Sequence, residues 1–461
     1  MSKKSSRRAF LGTTAATAAG AWIGLETRGA ETPATVVKKP STLQTTVLDA
    51  KVRFVNQSFL RPLIISSGAI SEITEAIAEV TVEVEGRRAT GRGSIYLSDL
   101  WAWPDPALAH DRRDAILRKL CEKIAGELPA LCGGKAAHPL ELGMRLHESV
   151  CHGAKPPVLA RAMCASPFDA AIHDAAGIAL GKSAFDFYSV PTPLPTADRY
   201  FPDRNACRAI ARAIAPPKRA LRAWYLVGKK DSMDKDVGPW IRDRGYRCFK
   251  IKILGRDNAY DVARTVEVFR AVKRLGAKNP EITVDTNEAN PDAASVLDYF
   301  QRLKAADPEA FAALKYFEQP TARDIIAHRF DWHKIAALKP VLLDEGLTSL
   351  ELMKESVAQG WSGFALKTCK GHSFALVAAA WAKQRGMLVS LQDLTNPGIS
   401  LIHAALFAAH VPTINDVELN SPQFTPAANA AWLPRLRRLF QPTDGMHRLP
   451  EKIPPGLGST L

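Results

Sequence analysis

Glu281-Ile282-Thr283-Val284-Asp285-Thr286-Asn287 is a short apolar, β-branched run that stops on an acid. Two later stretches have the same form: Leu314-Lys315-Tyr316-Phe317-Glu318-Gln319-Pro320 and Val341-Leu342-Leu343-Asp344-Glu345-Gly346. Runs of this length and composition, bounded by turn-forming residues, favour strands. Further candidate strands flank them on both sides, at Leu221–Val227, Arg247–Ile253, Gly363–Lys367, Met387–Leu391 and Asp416–Leu419. Ala-rich amphipathic stretches with helical period fill the gaps, for example Ala259–Leu275 and Ser373–Arg385. Alternating strands and helices predict a parallel sheet. Eight such units predict an α/β fold of the closed (β/α)8 type, a modified TIM barrel, over residues 221–424. No Gly-x-Gly-x-x-Gly follows a strand, which disfavours an open dinucleotide-binding sheet.

Upstream of the barrel the pattern changes. Thr46–Phe54, Glu75–Val84 and Ser94–Leu97 read as strands, with turns at Gly86 and Gly91-Arg92-Gly93. Helical blocks follow from Pro106 to Leu128 and from Pro139 to Cys151. A third is expected to start at Ser166-Pro167, as N-cap and first residue, and to stop at Gly181. Residues 46–184 are therefore an α+β N-terminal domain, 185–220 a Pro-rich connection and 425–461 a tail.

The first residues read as an address. Arg7-Arg8-Ala9-Phe10-Leu11 precedes a weakly apolar stretch to Leu25, too short to span a bilayer. This predicts a twin-arginine-like signal over 1–34, a linker over 35–45 and a periplasmic protein with no stable membrane insertion once the signal is removed. The seven cysteines are odd in number and contain no Cys-x-x-Cys, so no disulfide framework is implied. Folding before export reconciles free thiols with that destination.

The 461 residues carry a formal net charge of +14. Residues 1–34 contribute five basic and two acidic side chains, which leaves +11 for the rest. The remaining bases are scattered pairs, without aromatic interleaving or a nucleic-acid-binding motif, so nucleic acid is not the expected partner. A small anionic substrate suits this charge. His147 and His152 look like a zinc-protease pair but stand five apart, off a common helix face, and no Walker loop or Gly-x-Ser-x-Gly elbow occurs.

Barrel chemistry sits at the carboxyl ends of the strands. The second strand ends Phe249-Lys250-Ile251-Lys252, and alternate residues share a face, so both lysines are expected in the barrel mouth. The third, fourth and fifth strands end in Asp285, Glu318 and Asp344, and the sixth in Lys367. Three carboxylates in one cavity repel unless a cation separates them, and oxygen-only ligands favour Mg²⁺. A base on either side of such a metal suits removal of a proton next to a carboxylate through an enediolate.

These motifs resemble the enolase superfamily, mandelate racemase/muconate lactonizing enzyme family, over nearly all of residues 46–461. The resemblance rests on Lys250-x-Lys252, Asp285-x-Asn287, Glu318-Gln319-Pro320, Asp344-Glu345 and Lys367, with Ser166 to Gly177 and Pro455 to Gly458 in support. It implies a capping domain at the N-terminus and a tail that returns to it. It implies Asp285, Glu318 and Asp344 as Mg²⁺ ligands, Lys252 and Lys367 as acid/base residues and Lys250 as their aid at the substrate carboxylate. On the substrate side it points to Asn287 and to Asp416-Val417-Glu418, which is similar to the amine-holding Asp-x-Asp of dipeptide epimerases with Glu in second place. The lysines, and Leu391-Gln392-Asp393 without a histidine on the seventh strand, place the chain nearer the muconate lactonizing subgroup. The expected activity is an isomerase (epimerase, racemase or cycloisomerase) acting on a small carboxylate. A lyase using the same residues (acid-sugar dehydratase or o-succinylbenzoate-synthase-like), or an exported carboxylate-binding protein without turnover, is the alternative. A homo-oligomer is compatible with this reading.

Overall fold

The structure, a computed structural model, describes residues 43–461. The expected signal and residues 35–42 of the linker lie outside the described residues.

The chain first builds a three-stranded antiparallel sheet from β1 (Thr45–Ile65), β2 (Gly68–Val84) and β3 (Arg87–Tyr96). β1 and β2 run eleven and seven residues beyond the expected strands, as one long hairpin that turns at Ser66-Ser67. Its ladder slips between Ser58 and Leu63, so Phe59 to Pro62 bulge out of register near the tip. Three helices cover the sheet: α1 (His110–Leu131), α2 (Pro139–Cys151) and α3 (Val158–Leu180). Ala76, Ala78, Val80 and Val82 of β2 pack with Leu117, Ile124 and Leu128 of α1.

Two expectations fail here for physical reasons. Ser166-Pro167 does not cap α3, which begins two turns earlier. Pro167 has no N–H for the carbonyl of Met163, and the Ser166 hydroxyl donates to that carbonyl instead at 2.8 Å. The pair therefore sits inside the helix at little hydrogen-bonding cost. Gly91-Arg92-Gly93 is not a turn but part of β3. A Cβ on Gly91 would lie 2.1 Å from the Ala175 nitrogen, and one on Gly93 2.2 Å from the Pro167 carbonyl oxygen. These glycines let β3 lie directly on α3, which is buried from Leu159 to Gly177. Gly181 ends the helix in the left-handed conformation, as read from the sequence.

Seven parallel strands follow in one curled sheet, each paired with the next: Trp224–Val227, Cys248–Lys252, Glu281–Asp285, Leu314–Glu318, Val341–Leu343, Gly363–Lys367 and Leu388–Gln392. The first is shorter than expected, because Ala220–Arg222 pairs antiparallel with Met446–Arg448 instead. The eighth strand, expected at Asp416–Leu419, does not form. Asp416 takes a φ of +58°, which breaks the extended run, and one bridge joins Gln392 to Glu418. Side-chain amides span the gap. Asn415 Oδ1 accepts from the Leu391 N–H at 3.0 Å while its Nδ2 donates to the Leu391 carbonyl at 2.9 Å. Gln423 treats Leu226 in the same way, at 3.0 and 2.7 Å. Each amide thus imitates the N–H and C=O of a neighbouring strand between the seventh strand and the first.

The N-terminal domain is joined to the barrel through a buried polar chain. Ser373 donates to Asp169 at 2.8 Å and contacts His173 at 2.8 Å. Tyr188 links His173 to His372, both at 2.7 Å, and His372 meets His403 at 2.7 Å. The tail ends on α3: Asp174 accepts from the Leu457 N–H at 2.7 Å, and Gly456 pairs with Lys182 and Ala184. Among the described residues, no helix is long and apolar enough to cross a membrane, and all seven cysteines are unpaired.

Candidate active site

A cavity opens between the hairpin tip and the carboxyl ends of the barrel strands. Alternation on the second strand turns Lys250 and Lys252 into it, as their spacing predicts. Asp285, Glu318 and Lys367 close their strands, Asp344 follows the fifth, and all four line the same space. Lys250 donates to both oxygens of Glu318 at 2.7 and 2.8 Å, with Asp285 and Glu418 at 3.2 and 3.3 Å. Lys252 donates to Asp285 at 2.5 Å and to Asn287 at 2.8 Å. Lys367 donates to Asp344 at 2.7 Å. The two lysines expected as acid and base therefore flank a row of carboxylates, with Lys250 and Glu318 between them.

The loops fix these groups in place. Asn287, with φ +45°, folds back so that its N–H reaches Asp285 at 2.7 Å, and its amide reaches Glu345 at 3.1 Å. Gln319 accepts from the N–H groups of Asp344 and Gly346, so the Glu-Gln-Pro motif holds the next strand's loop as well as its own.

Asp416, expected to bind substrate, does not reach the cavity. Its carboxylate accepts from Lys218 at 2.7 Å and from the Arg222 N–H at 3.0 Å. The residues of this segment that line the cavity are Glu418 and Asn420. Glu418 stands where it was expected, and Asp416 alone is turned away, where the segment is irregular rather than extended. His147, of the near-miss zinc motif, is buried against Phe374, whereas His152 is exposed.

Four groups escaped the sequence reading of the site. Gln392, at the end of the seventh strand, donates to Glu318 and accepts from Lys367 and Lys250. Lys370 donates to the Asp344 carboxylate at 3.0 Å. Glu345 accepts from the indole N–H of Trp101 at 2.9 Å. Trp101, brought in from the N-terminal domain, also places its ring 5.7 Å from the Lys367 ammonium. Trp103, its neighbour in sequence, packs in the domain core. Position at a strand end could have singled out Gln392; nothing local marks the contact of Trp101 with Glu345.

The electrostatics are those of a crowded acidic site. Burial pushes the Glu318 carboxyl up to about 8, with Asp285 and Asp344 adding to it against the lysines. Burial and then Asp344 push Glu345 up to about 7. Burial also acts to raise Asp285, but Lys252 and Lys250 outweigh it and hold that carboxyl at about 2. For Lys250, the desolvation that lowers an ammonium is overcome by Glu318, Glu418 and Asp285, which raise it well above the usual lysine range.

Asp285, Glu318, Asp344, Glu345, Asp393 and Glu418 face Lys250, Lys252, Lys367 and Lys370. Six carboxylates against four ammonium groups leave an excess of two negative charges when all are ionised. Among the described residues, no group of three or more His, Cys, Asp or Glu side chains has the spacing of a formed metal site, since each expected ligand closes on a lysine. The donor chemistry still fits a hard divalent cation. The ligands are oxygens, the charge excess matches one such ion, and Glu345 Oε2 and Asp393 Oδ2 are buried without a hydrogen-bond partner.

The class of fold is thus an α+β domain capping the strand ends of a curled parallel α/β sheet, where lysines and carboxylates share one cavity. Residues 233–461 match the family model described as enolase C-terminal domain-like. That part of the chain is an enolase C-terminal-like domain, as the motifs of the strand ends suggested. Similar solved structures include an enolase from Bradyrhizobium complexed with magnesium and mandelic acid, at 19% identity and TM-score 0.61, covering 90% of this chain and 95% of that one. Muconate lactonizing enzyme from Pseudomonas fluorescens, complexed with muconolactone, is 18% identical with TM-score 0.61, over 90% and 96% of the two chains. N-succinyl Arg/Lys racemase from Bacillus cereus is 17% identical with TM-score 0.61, over 90% and 95%. No curated protein matches the chain.

Proposed function

We propose that the protein is a Mg²⁺-dependent isomerase that removes the proton α to a substrate carboxylate and returns it to the same or another carbon. The observation that carries this reading is the placement of Lys252 and Lys367 on either side of the Asp285–Glu318–Asp344 row, in one buried cavity. Lys252 takes or returns the proton from one side, and Lys367 does so, or stabilises charge, from the other. Lys250 and Gln392 hold the oxygen groups between them. Asp285, Glu318 and Asp344 would hold Mg²⁺, which when bound neutralises these acids and stabilises the enediolate oxygens.

The test is exchange of the α-proton in D₂O, with Mg²⁺ and a library of small carboxylates, followed by NMR and chiral chromatography. Exchange with change of configuration or cyclisation supports the isomerase. Exchange ending in loss of water makes the same site a lyase. Binding without any exchange leaves a carboxylate-binding protein.

We also propose export to the periplasm by the twin-arginine route. The Arg7-Arg8 motif supports it, as do seven cysteines that the fold leaves unpaired. Residues 1–34 fused to a reporter should be exported, and changing both arginines to lysine should abolish export. Export that persists in that variant would exclude the route.

A further inference from the structure

We propose that the substrate carries an uncharged apolar group, of branched-aliphatic or aromatic size, on the side away from its carboxylate. This rests on the function proposed above and deepens it to a substrate class.

The two sides of the cavity differ in chemistry. The side given by the N-terminal domain consists of Phe59, Leu63, Ile65, Ile70, Ile73 and Trp101, with Ser98. Ile70 and Ile73 form, with Tyr96, a small cluster separate from the cores of both domains, and Phe59, Leu63 and Ile65 pack on it. Leu63 and Ile65 remain partly exposed, so apolar area at the cavity is still open to be covered.

The charged residues of the hairpin are turned elsewhere. Arg61, between Phe59 and Leu63, pairs with Asp231 at 2.8 Å and with the Tyr225 hydroxyl at 2.9 Å, outside the cavity lining. Glu75 accepts from Gln57 at 3.0 Å and does not line it either. The indole N–H of Trp101 is already given to Glu345. A charged distal group would therefore lose its water without gaining a partner on this side, while an apolar one would gain contact.

The full chain with Mg²⁺ can be given matched pairs of N-acylamino acids and of dipeptides that differ in one side chain: leucine or phenylalanine against glutamate or arginine. Binding is followed by calorimetry and α-proton exchange by NMR. The apolar members should exchange with a kcat/KM at least tenfold higher. Leu63→Arg, or Ile65→Arg should the first not fold, should shift the preference at least tenfold towards the glutamate member. A wild-type preference for a charged member overturns the substrate class and leaves the proton-abstraction reading standing. Tight binding of apolar members without exchange keeps the apolar pocket and overturns that reading. Failure of every member both to bind and to exchange overturns the proposal.

Discussion

The arc of wall from the second to the sixth barrel strand and the remainder of the cavity rim are held by different means. On the arc, Lys250, Lys252, Asp285, Glu318 and Lys367 stand on a continuous backbone ladder, and each position is set by strand pairing. The rim is the hairpin tip, Trp101 and the segment from Asn415 to Gln423; the tip pairs only within the hairpin, and side-chain hydrogen bonds add to one backbone bridge in fastening the segment to the barrel strands. On the proposed function, the groups that must stay within hydrogen-bond reach of the reacting atom occupy the part of the wall that substitution moves least. Groups that meet the rest of the substrate occupy the part that substitution moves most.

The sharpest way to break this comparison is on the arc. Lys252→Ala and Lys367→Ala should each lower α-proton exchange by about 10²–10⁴-fold, with Mg²⁺ binding by calorimetry retained. Near-normal exchange in either variant would remove that lysine from the mechanism.

The next test addresses the chain that fastens the N-terminal domain to the barrel. Burial, opposed in part by Asp169, holds the His403 ring down to about 3, below the ordinary value for histidine. The unfolded chain therefore takes up this proton first as pH falls. The stabilisation is complete above about pH 6.5 and is lost as pH falls from there towards 3. His403→Gln removes the group, so between pH 6.5 and 4.5 the wild type should lose about 2 kcal/mol more than the variant. Urea unfolding at the two pH values checks this, and parallel slopes would contradict it.

Gln423→Leu should cost about 1–3 kcal/mol in the same assay, because the N–H and C=O of buried Leu226 lose their partners. An unchanged midpoint would mean that water or a shifted backbone replaces the amide. The smallest effect is expected at Trp101→Phe, which keeps a ring over Lys367 and removes the bond to Glu345. It should cost about tenfold in kcat/KM, or about 1.4 kcal/mol. A larger loss would move Trp101 from the rim's side of the comparison to the arc's.

The same division explains what could be read from the sequence. Asp285 and Glu318 were visible because each ends a recognisable apolar run, and Lys250 and Lys252 because strand alternation holds there. The resemblance put Glu418 in the cavity, where it stands, but misplaced Asp416. The positive φ at Asp416 breaks the extended run, and Asn420 lines the cavity beside Glu418. Ser166-Pro167 misled for a local reason, since a hydroxyl that caps a helix start can equally replace a missing N–H within one. The bond from Trp101 to Glu345 had no local signal, because the two stand 244 residues apart in sequence.

The amides of Asn415 and Gln423 have a consequence for how this protein can change over generations. A main-chain ladder tolerates almost any residue, so it survives drift in the codons beneath it. Between the seventh strand and the first, a single backbone bridge is supplemented by two particular amides. One nucleotide change there can loosen the segment that carries Glu418 and Asn420 while the laddered strands stay paired. This is the stretch of the barrel where mutation has the shortest route to a differently shaped cavity.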